Sequence, residues 1–299
     1  QVFNLVTADG GTTWYGYEEV NNTNDQPNTM FAVGNNGSGS LAQNNLTQYS
    51  SPVQITGTTW TASNNQLGTA EVSNVIQRKT DGTLWSWGIN NTTKYSSPVQ
   101  VPGTTWAIGS VSRHSLWTRT DGTLWTMGRN QHGQLGLSES VNSHKSSPTQ
   151  IPGTTWSTSH SDGVKLITCS GNYSCSGAIK TDGTLWVWGQ NAQGQLGQGG
   201  ITYYSSPVQI PGTTWKYISN GQSAMFGIKT DGTLWSWGNN QGIGQLGLND
   251  LSNYSSPKQV PGTTWASVTA GKSGTTFATK TDGTLWSWGY NEFGQIAGL

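Results

Sequence analysis

The sequence predicts an all-β protein, a six-bladed β-propeller of four-stranded antiparallel blades, and three observations support this fold class. A nine-residue unit, Thr-Asp-Gly-Thr-Leu-Trp-Ser-Trp-Gly at 230–238, has near copies starting at residues 80, 120, 181 and 281. The tetrapeptide Gly-Thr-Thr-Trp occurs six times, at intervals of 46 to 59 residues. No segment shows a sustained 3.6-residue apolar period, whereas short apolar runs separated by Gly and Pro are typical of β-structure.

The nine-residue unit predicts a β-hairpin. Asp-Gly between two apolar runs favours a tight turn, because Gly readily adopts positive φ. In the strand after the turn, Trp235 and Trp237 share one face, and Leu234 lies on the other. Fifteen of the sixteen tryptophans belong to the two repeated motifs, and Trp117 is the exception. We therefore expect the tryptophans to form the core between neighbouring repeats.

The repeats organise the whole chain as one domain, residues 1–299. Six units of this size cannot each bury both faces alone, so they are expected to pack on one another. We place them at about 9–54, 55–100, 101–150, 151–209, 210–259 and 260–299. Radial closure protects sheet edges, and we expect residues 1–8 to complete the last blade and close the ring.

Three repeats are irregular. The first lacks both tryptophans of the nine-residue unit, at 28–36. The second lacks the Gly-Gln-Leu-Gly loop and passes directly from Gly88 to Tyr95. The fourth carries about ten extra residues between Trp156 and Thr181, and both cysteines lie near the end of this insertion.

Composition excludes some partners and favours a location. Only 9% of the residues are charged, and 14 basic side chains balance 14 acidic ones, so no basic patch favours nucleic acid. The sequence contains no run of about 18 apolar residues, the length that a membrane-spanning helix needs. A neutral surface of Asn, Gln, Ser, Thr and Gly is typical of secreted or virion-exposed proteins, so we expect an extracellular or virion-surface location. We also expect the chain, which begins with Gln1, to be a processed or partial product.

Cysteine, histidine and aspartate are residue types in this chain that could bind a metal ion. Cys169 and Cys175 are either a disulfide, which would fit an oxidising compartment, or two free thiols. The four histidines show no fixed spacing to them, and a zinc site needs about four ligands, so we expect neither a metal nor a cofactor. Calcium would require about six to eight oxygen ligands. The five recurring aspartates are therefore interpreted as turn residues: Asp81, Asp121, Asp182, Asp231 and Asp282.

The sequence contains no recognisable catalytic set, and we expect the protein not to be an enzyme. Hydrolysis would need facing carboxylates or a Ser–His–Asp arrangement. Glu18 and Glu19 are adjacent and point apart on a strand.

Polar loops after the predicted fourth strand of each repeat, the strand that ends at Trp237 in the fifth repeat, are the candidate binding elements. Their Asn and Gln side chains either bind sugar hydroxyls or hydrogen-bond their own loop, and we favour the second role for Gln134, Gln195, Gln245 and Gln295. Loop positions that vary between copies are the candidate partner contacts: Arg129, His132, Gln193, Asn240, Tyr290 and Phe293. Asn-x-Ser/Thr sequences mark candidate glycosylation sites at Asn21, Asn45, Asn90, Asn91 and Asn172.

Residues 270–295 run from Ala-Gly through Asp-Gly-Thr-Leu-Trp-Ser-Trp-Gly-Tyr-Asn-Glu-Phe-Gly-Gln, a string that closely resembles the regulator of chromosome condensation repeat family. Residues 121–136 and 182–197 match the same string, with Met127 in place of the second tryptophan in the former. The resemblance implies a propeller of four-stranded blades, usually seven. The founding member acts in guanine-nucleotide exchange on a small nuclear GTPase and docks to chromatin, and the near-zero charge of this chain argues against that role. The regular spacing of the repeats looks more like bacterial and phage surface or fibre modules.

These observations leave two function classes open. The leading expectation is a non-catalytic structural or adhesive propeller on a cell or virion surface. It would bind protein or glycan partners, alone or as part of a homo-oligomer or a larger assembly. The alternative is an intracellular regulatory propeller that acts on a small GTPase.

Overall fold

The computed structural model describes residues 2–7, 13–19, 29–61, 68–69, 74–90, 93–159, 165–170, 174–221, 223–271 and 273–296. Within these ranges the chain forms 23 β-strands in six antiparallel sheets and no helix. No helix in the described part is therefore long and apolar enough to cross a membrane.

The sheets are numbered 1 to 6 in chain order. Sheet 1 contains β1 (Val2–Thr7), β2 (Thr13–Glu19), β3 (Met30–Gly34) and β4 (Tyr49–Ile55). Sheet 2 contains β5 (Gly68–Thr69), β6 (Asn74–Arg78), β7 (Leu84–Asn90) and β8 (Thr93–Val101). Sheet 3 contains β9 (Trp106–Val111), β10 (His114–Arg119), β11 (Leu124–Gly128) and β12 (Lys145–Ile151). Sheet 4 contains β13 (Ile167–Cys169), β14 (Cys175–Ile179), β15 (Leu185–Gly189) and β16 (Tyr204–Ile210). Sheet 5 contains β17 (Trp215–Asn220), β18 (Ala224–Lys229), β19 (Leu234–Gly238) and β20 (Tyr254–Gln259). Sheet 6 contains β21 (Trp265–Ala270), β22 (Thr275–Lys280) and β23 (Leu285–Gly289).

Hydrophobic clusters lie between consecutive sheets. From sheet 2 to sheet 6, the first strand of each sheet contacts the first strand of the next. Between sheets 4 and 5, Leu185 and Ile210 of one sheet pack with Trp215 and Trp237 of the other. Related clusters join sheets 1 and 2, 2 and 3, 3 and 4, and 5 and 6. The prediction that the tryptophans form the core between repeats is confirmed.

The Asp-Gly turns are built as the sequence predicts. Asp231 Oδ1 accepts hydrogen bonds from the Thr233 amide at 2.9 Å and the Thr233 hydroxyl at 2.7 Å. The same hydroxyl accepts a 2.9 Å bond from Trp235 Nε1. The Thr233 side chain is the main reason that the pKa of Asp231 is lowered. The other four turns repeat these bonds at Asp81, Asp121, Asp182 and Asp282.

A cation lies between two tryptophan rings beside each of these turns. Lys229 Nζ is 4.9 Å from the Trp215 ring centroid and 4.2 Å from that of Trp235. Such contacts are favourable because the ring face carries negative charge. The same arrangement recurs with Lys79, Arg119, Lys180 and Lys280.

The predicted closure by residues 1–8 is wrong. Strand β1 pairs with β2, with Val2 opposite Glu19, so it is the first strand of sheet 1. The two strands are close in sequence, and pairing near neighbours costs less loop-closure entropy than pairing the chain ends. Trp14 consequently lies in a second strand, whereas Trp215 and Trp265 each begin a first strand.

Sheet 6 has three strands among the described residues, β21 to β23. Leu285 of β23 is 67% exposed, whereas its counterpart Leu234 in sheet 5 is fully buried. Leu234 is buried in the cluster that joins sheets 5 and 6, with Trp265 and Val268. Leu285 belongs to none of the clusters formed by the described residues.

Candidate functional site

Each polar loop is closed by its own amide side chains. In the loop between β15 and β16, Asn191 Oδ1 accepts from the Leu196 amide and Gln195 Oε1 accepts from the Gln193 amide, both at 2.8 Å. The loop between β11 and β12 repeats both bonds, and Gln295 repeats the second. In the longer loop after β19, Gln245 Nε2 donates instead to the Asn239 carbonyl at 2.7 Å. These bonds support the structural role expected for the repeated glutamines.

These loops follow the third strand of their sheets and not the fourth, and those of sheets 1, 3, 4 and 5 also fill the interface with the following sheet. The Gln134 carbonyl of sheet 3 accepts from Trp188 Nε1 and from Ser176 Oγ of sheet 4, both at 2.9 Å. The Gln245 carbonyl accepts in the same way from Trp288 and Thr276 of sheet 6. Indole donors also bind loop carbonyls between sheets 1 and 2 and between sheets 4 and 5: Trp87 to Ser40, and Trp237 to Gln195.

The interface between sheets 2 and 3 differs from these four. Strand β7 ends at Asn90 and β8 begins at Thr93, so this connection is too short for a Gly-Gln-Leu-Gly loop. On sheet 3, Met127 takes the place of Trp188, and Ser115, opposite it, takes the place of Ser176. The Ser115 side chain is 2% exposed, and its hydroxyl has no hydrogen-bond partner among the described residues.

A cavity of about 190 Å³ lies at this interface, and we call it the loop-free cleft. Its lining includes Tyr95, Val99, Arg113, Ser115, Met127 and Lys145. The described lining holds no Asp or Glu, so its formal charges are cationic. Lys145 also forms an ion pair of 2.9 Å with Glu139, which helps to lower the pKa of that carboxyl. The cleft therefore combines apolar surface, a buried hydroxyl and two cationic side chains, one of which is paired with Glu139.

A buried histidine lies on the other face of the same strand. His114 Nε2 is 2.6 Å from Ser176 Oγ, and burial lowers the pKa of His114 to about 3. Because the single Ser176 proton is donated to the Gln134 carbonyl, the Ser176 oxygen accepts from His114 Nε2–H. This bond fixes a neutral tautomer at the filled interface between sheets 3 and 4.

The predicted contact residues are spread over several loops. Arg129 and His132 are half-buried in the loop of sheet 3, and the His132 ring lies 5.8 Å from Tyr203 of sheet 4. Gln193 is exposed, and its Oε1 accepts a 3.1 Å bond from Asn253 of sheet 5. Tyr290 and Phe293 have ring centroids 6.2 Å apart in the loop of sheet 6, where Phe293 is 80% exposed. These loops follow different sheets, so the residues do not make one common site.

The prediction that Asn240 is a contact residue is wrong. Asn240 is fully buried, its Oδ1 accepts from the Leu246 amide at 2.9 Å, and its Nδ2 donates to the Asp250 carbonyl at 2.8 Å. It is the equivalent of Asn191, which makes the corresponding bond to Leu196. One extra residue between Asn240 and Gln245 obscures that correspondence in the sequence.

The structure holds Cys169 and Cys175 as free thiols, contrary to the candidate disulfide. Cys169 pairs with Ser176 across β13 and β14, so the neighbouring Cys175 points to the opposite face of the sheet. The two side chains accordingly belong to clusters on different faces. Burial raises the pKa of Cys169 to about 11 and that of Cys175 to about 12.

The remaining candidate residues offer little chemistry. Asn45 Nδ2 already donates to the Gln43 carbonyl and to Tyr49 Oη, and Asn90 is the last residue of β7. Asn21, Asn91 and Asn172 lie outside the described residues. In the described part of the chain, no three His, Cys, Asp or Glu side chains are grouped to hold a metal ion.

Comparison with known proteins identifies the family. The family model described as the regulator of chromosome condensation (RCC1) repeat matches residues 121–176, 182–226 and 231–278, and a second model of the same description matches residues 265–295. No curated protein matches the sequence.

Solved structures share the fold at low identity. Prp20p from Saccharomyces cerevisiae has a TM-score of 0.68 and 19% identity, covering 95% of this chain and 71% of that one. Yeast RCC1 (Prp20) bound to Kap60 has a TM-score of 0.67 and 19% identity, covering 96% and 70%. Human WBSCR16 has a TM-score of 0.62 and 20% identity, covering 87% and 68%. Since the repeat models match more than half of its residues, the chain is a β-propeller protein of the regulator of chromosome condensation (RCC1) repeat family.

Proposed function

We propose that this protein is a non-catalytic propeller that binds a protein partner, and that the loop-free cleft is its docking site. One observation carries the proposal: loops fill the other four described interfaces, whereas the interface between sheets 2 and 3 holds a cavity of about 190 Å³. Concave sites with apolar walls and a few convergent polar groups are the usual form of binding sites.

The loop amides favour a protein over a glycan as partner. A glycan-binding ring would need free Asn and Gln side chains to pair with sugar hydroxyls. In this chain the repeated amides are buried and bonded within their own loops: Asn130, Gln134, Asn191, Gln195, Asn240 and Gln245. Structural neighbours also support a protein partner, since one is a complex of yeast RCC1 with Kap60 and another concerns the binding of Prp20p to Gsp1p and histones.

A location on the cell or virion surface is part of the proposal. Its support is the uncharged, amide-rich composition, with 9% charged residues. Cys169 and Cys175 are free thiols, so they do not support the oxidising compartment that a disulfide would favour. Antibody labelling of intact cells or virions from the source tests this part, and labelling only after permeabilisation would contradict it.

The docking site is tested with a pair of tryptophan substitutions. Val99 lines the cleft and Val141 lies outside its lining, and both side chains are largely exposed. A partner captured with the wild-type protein is identified, purified and titrated by calorimetry. We expect Val99→Trp to weaken binding at least about tenfold, the equivalent of about 1.4 kcal/mol, and Val141→Trp to leave it unchanged. Equal affinity of both variants would contradict the docking site, and a glycan-only ligand would contradict the function class.

Regulation of a small GTPase is a second candidate, supported by the fold shared with yeast RCC1. Release of labelled GDP from the small GTPases of the source organism tests it. Acceleration by the wild-type protein would favour this candidate, and unchanged release would remove it.

A further inference from the structure

We infer that the loop-free cleft takes a turn-forming segment of the partner protein that imitates the Gly-Gln-Leu-Gly loop. Such a segment presents a main-chain carbonyl, then an aliphatic side chain and then a glycine, with an acidic residue nearby. This inference rests on the proposed function and specifies the chemistry of the partner at the same site.

The filled interfaces define what such a segment must contain. At the interface of sheets 3 and 4, the Gln134 carbonyl accepts two hydrogen bonds, from Trp188 and Ser176. The following residue, Leu135, is fully buried. Gly136 comes next with φ +70°, and a Cβ there would lie 2.7 Å from Trp188 Nε1. The three requirements are therefore an acceptor, an aliphatic side chain and a residue without a side chain.

The cleft retains part of the receptor for this segment. Ser115 occupies the position of Ser176 and Thr276, both of which donate to a loop carbonyl. A buried hydroxyl without a partner is unfavourable, so an incoming carbonyl would gain a bond at little cost in lost water contacts. Met127, half-buried opposite Ser115, stands where the indole donor would be. An unbranched Met side chain moves readily, so Met127 can turn aside and expose the Ser115 hydroxyl.

Charge adds a further requirement. Arg113 and Lys145 line the cleft, Lys145 is paired with Glu139, and no carboxylate belongs to the described lining. Complementary charge at an interface favours association and is weakened by salt. An acidic residue beside the turn would therefore strengthen binding at low salt.

Methionine methyl resonances provide a site-specific test. The chain has three methionines, Met30, Met127 and Met225, and the first and last are fully buried at other interfaces. The probe is an acetylated and amidated peptide with the sequence of residues 130–137, Asn-Gln-His-Gly-Gln-Leu-Gly-Leu. Titration into ¹³C-methyl-methionine protein should shift the Met127 signal, with a Kd of about 1 mM or tighter, and leave the other two signals in place.

Variants identify the groups involved. Ser115→Ala should weaken the peptide about fivefold, the value of one ordinary hydrogen bond, whereas the matched control Ser176→Ala should not change its affinity. A peptide with Leu135→Asp should give no shift. A peptide with Gln131→Glu should bind more tightly than the neutral one, and this difference should vanish at about 1 M salt.

Two results would overturn the inference: no Met127 shift at peptide concentrations of about 5 mM, fivefold above the expected Kd, or equal affinity for wild type and Ser115→Ala. If Val99→Trp still blocks the natural partner in either case, the proposed function survives and only the loop-like chemistry of the partner is wrong. If the peptide binds at Met127 but Val99→Trp leaves the natural partner unaffected, the proposed docking function fails instead.

Discussion

The interface between sheets 3 and 4 and the interface between sheets 2 and 3 are built from equivalent strands but differ in what lies between them. In the first, the Gln134 carbonyl joins Trp188 and Ser176 in one hydrogen-bonded unit. In the second, Met127 and Ser115 occupy the same register positions without a loop to meet them. The comparison indicates that the loop and the second tryptophan form one unit, so the tryptophan is dispensable where the preceding loop is missing.

The Trp117 side chain supplies part of the apolar contact that a loop makes at the other interfaces. It stands opposite Trp125 on sheet 3, at the position held by Ala178 in sheet 4 and Gly227 in sheet 5. It is buried in the cluster that joins sheets 2 and 3. A large side chain on one sheet thus supplies apolar contact that a loop supplies elsewhere, and the remaining space is the loop-free cleft.

Removal of a loop leucine should have the largest effect. Leu135 is fully buried between sheets 3 and 4, so Leu135→Ala should lower the free energy of unfolding by about 2–5 kcal/mol. Urea denaturation measures this change. Leu251 is 59% exposed, and Leu251→Ala should stay within about 0.5 kcal/mol of wild type. If the two variants lost similar amounts of unfolding free energy, the loop leucine would not be part of the core.

Exchange of Trp and Met at the two interfaces should give unequal results. Trp188→Met loses ring contacts and leaves the Gln134 carbonyl with one donor fewer, so it should cost about 2–4 kcal/mol in urea denaturation. Met127→Trp enters an interface with a cavity and should change stability by less than about 1 kcal/mol. Equal costs would contradict the coupling between loop and tryptophan.

Stability should fall with acid before the carboxylates titrate. His114 is buried and neutral, so its folded pKa of about 3 lies below the ordinary value of 6.5, and the unfolded chain binds the proton first. Below pH 6.5 the free energy of unfolding should therefore fall by up to about 1.4 kcal/mol per pH unit.

Urea denaturation between about pH 6.5 and 5 measures the slope, above the range in which the carboxyls with lowered pKa begin to bind protons in the unfolded chain. His114→Gln should remove most of it. His132, half-buried with a pKa also lowered by burial, should contribute less. An unchanged slope in His114→Gln would contradict the neutral His114–Ser176 bond.

A methyl group added to the loop should be felt only where the loop meets the next sheet. Gly136→Ala places a Cβ 2.7 Å from Trp188 Nε1 at φ +70°, and should cost about 1–3 kcal/mol in thermal or urea unfolding. Gly200 has no atom within 4 Å of an added Cβ, so Gly200→Ala should be neutral to within about 0.5 kcal/mol. Equal stability of the two variants would place the loop away from Trp188.

Local, repeated features could be predicted from the sequence. The Asp-Gly turns around Asp231 and the tryptophan faces follow from spacing alone, since they depend on a few neighbouring residues. The partner of β1 and the faces of Cys169 and Cys175 depend on strand register, which the sequence does not display. The equivalence of Asn240 and Asn191 is hidden in the sequence because one extra residue lies between Asn240 and Gln245.

The sequence contains two signs of the loop-free cleft, but they lie in different repeats and neither can be interpreted by itself. The missing loop lies in the second repeat and Met127 in the third. Their connection appears only when the structure shows that each loop contacts the following sheet, as Gln134 contacts Trp188. Ser115 was missed for the same reason, because its missing partner belongs to another repeat.

The most direct test compares the unfolding free energies of Ser176→Ala and Ser115→Ala. The Ser176 hydroxyl is bonded to the Gln134 carbonyl and to His114, so its removal should cost about 1 kcal/mol or more. The Ser115 hydroxyl has no partner among the described residues, so its removal should leave stability unchanged or raise it by up to about 1 kcal/mol. A cost for Ser115→Ala equal to that for Ser176→Ala would show that the Ser115 hydroxyl is already bonded, and would contradict the loop-free cleft as a binding site.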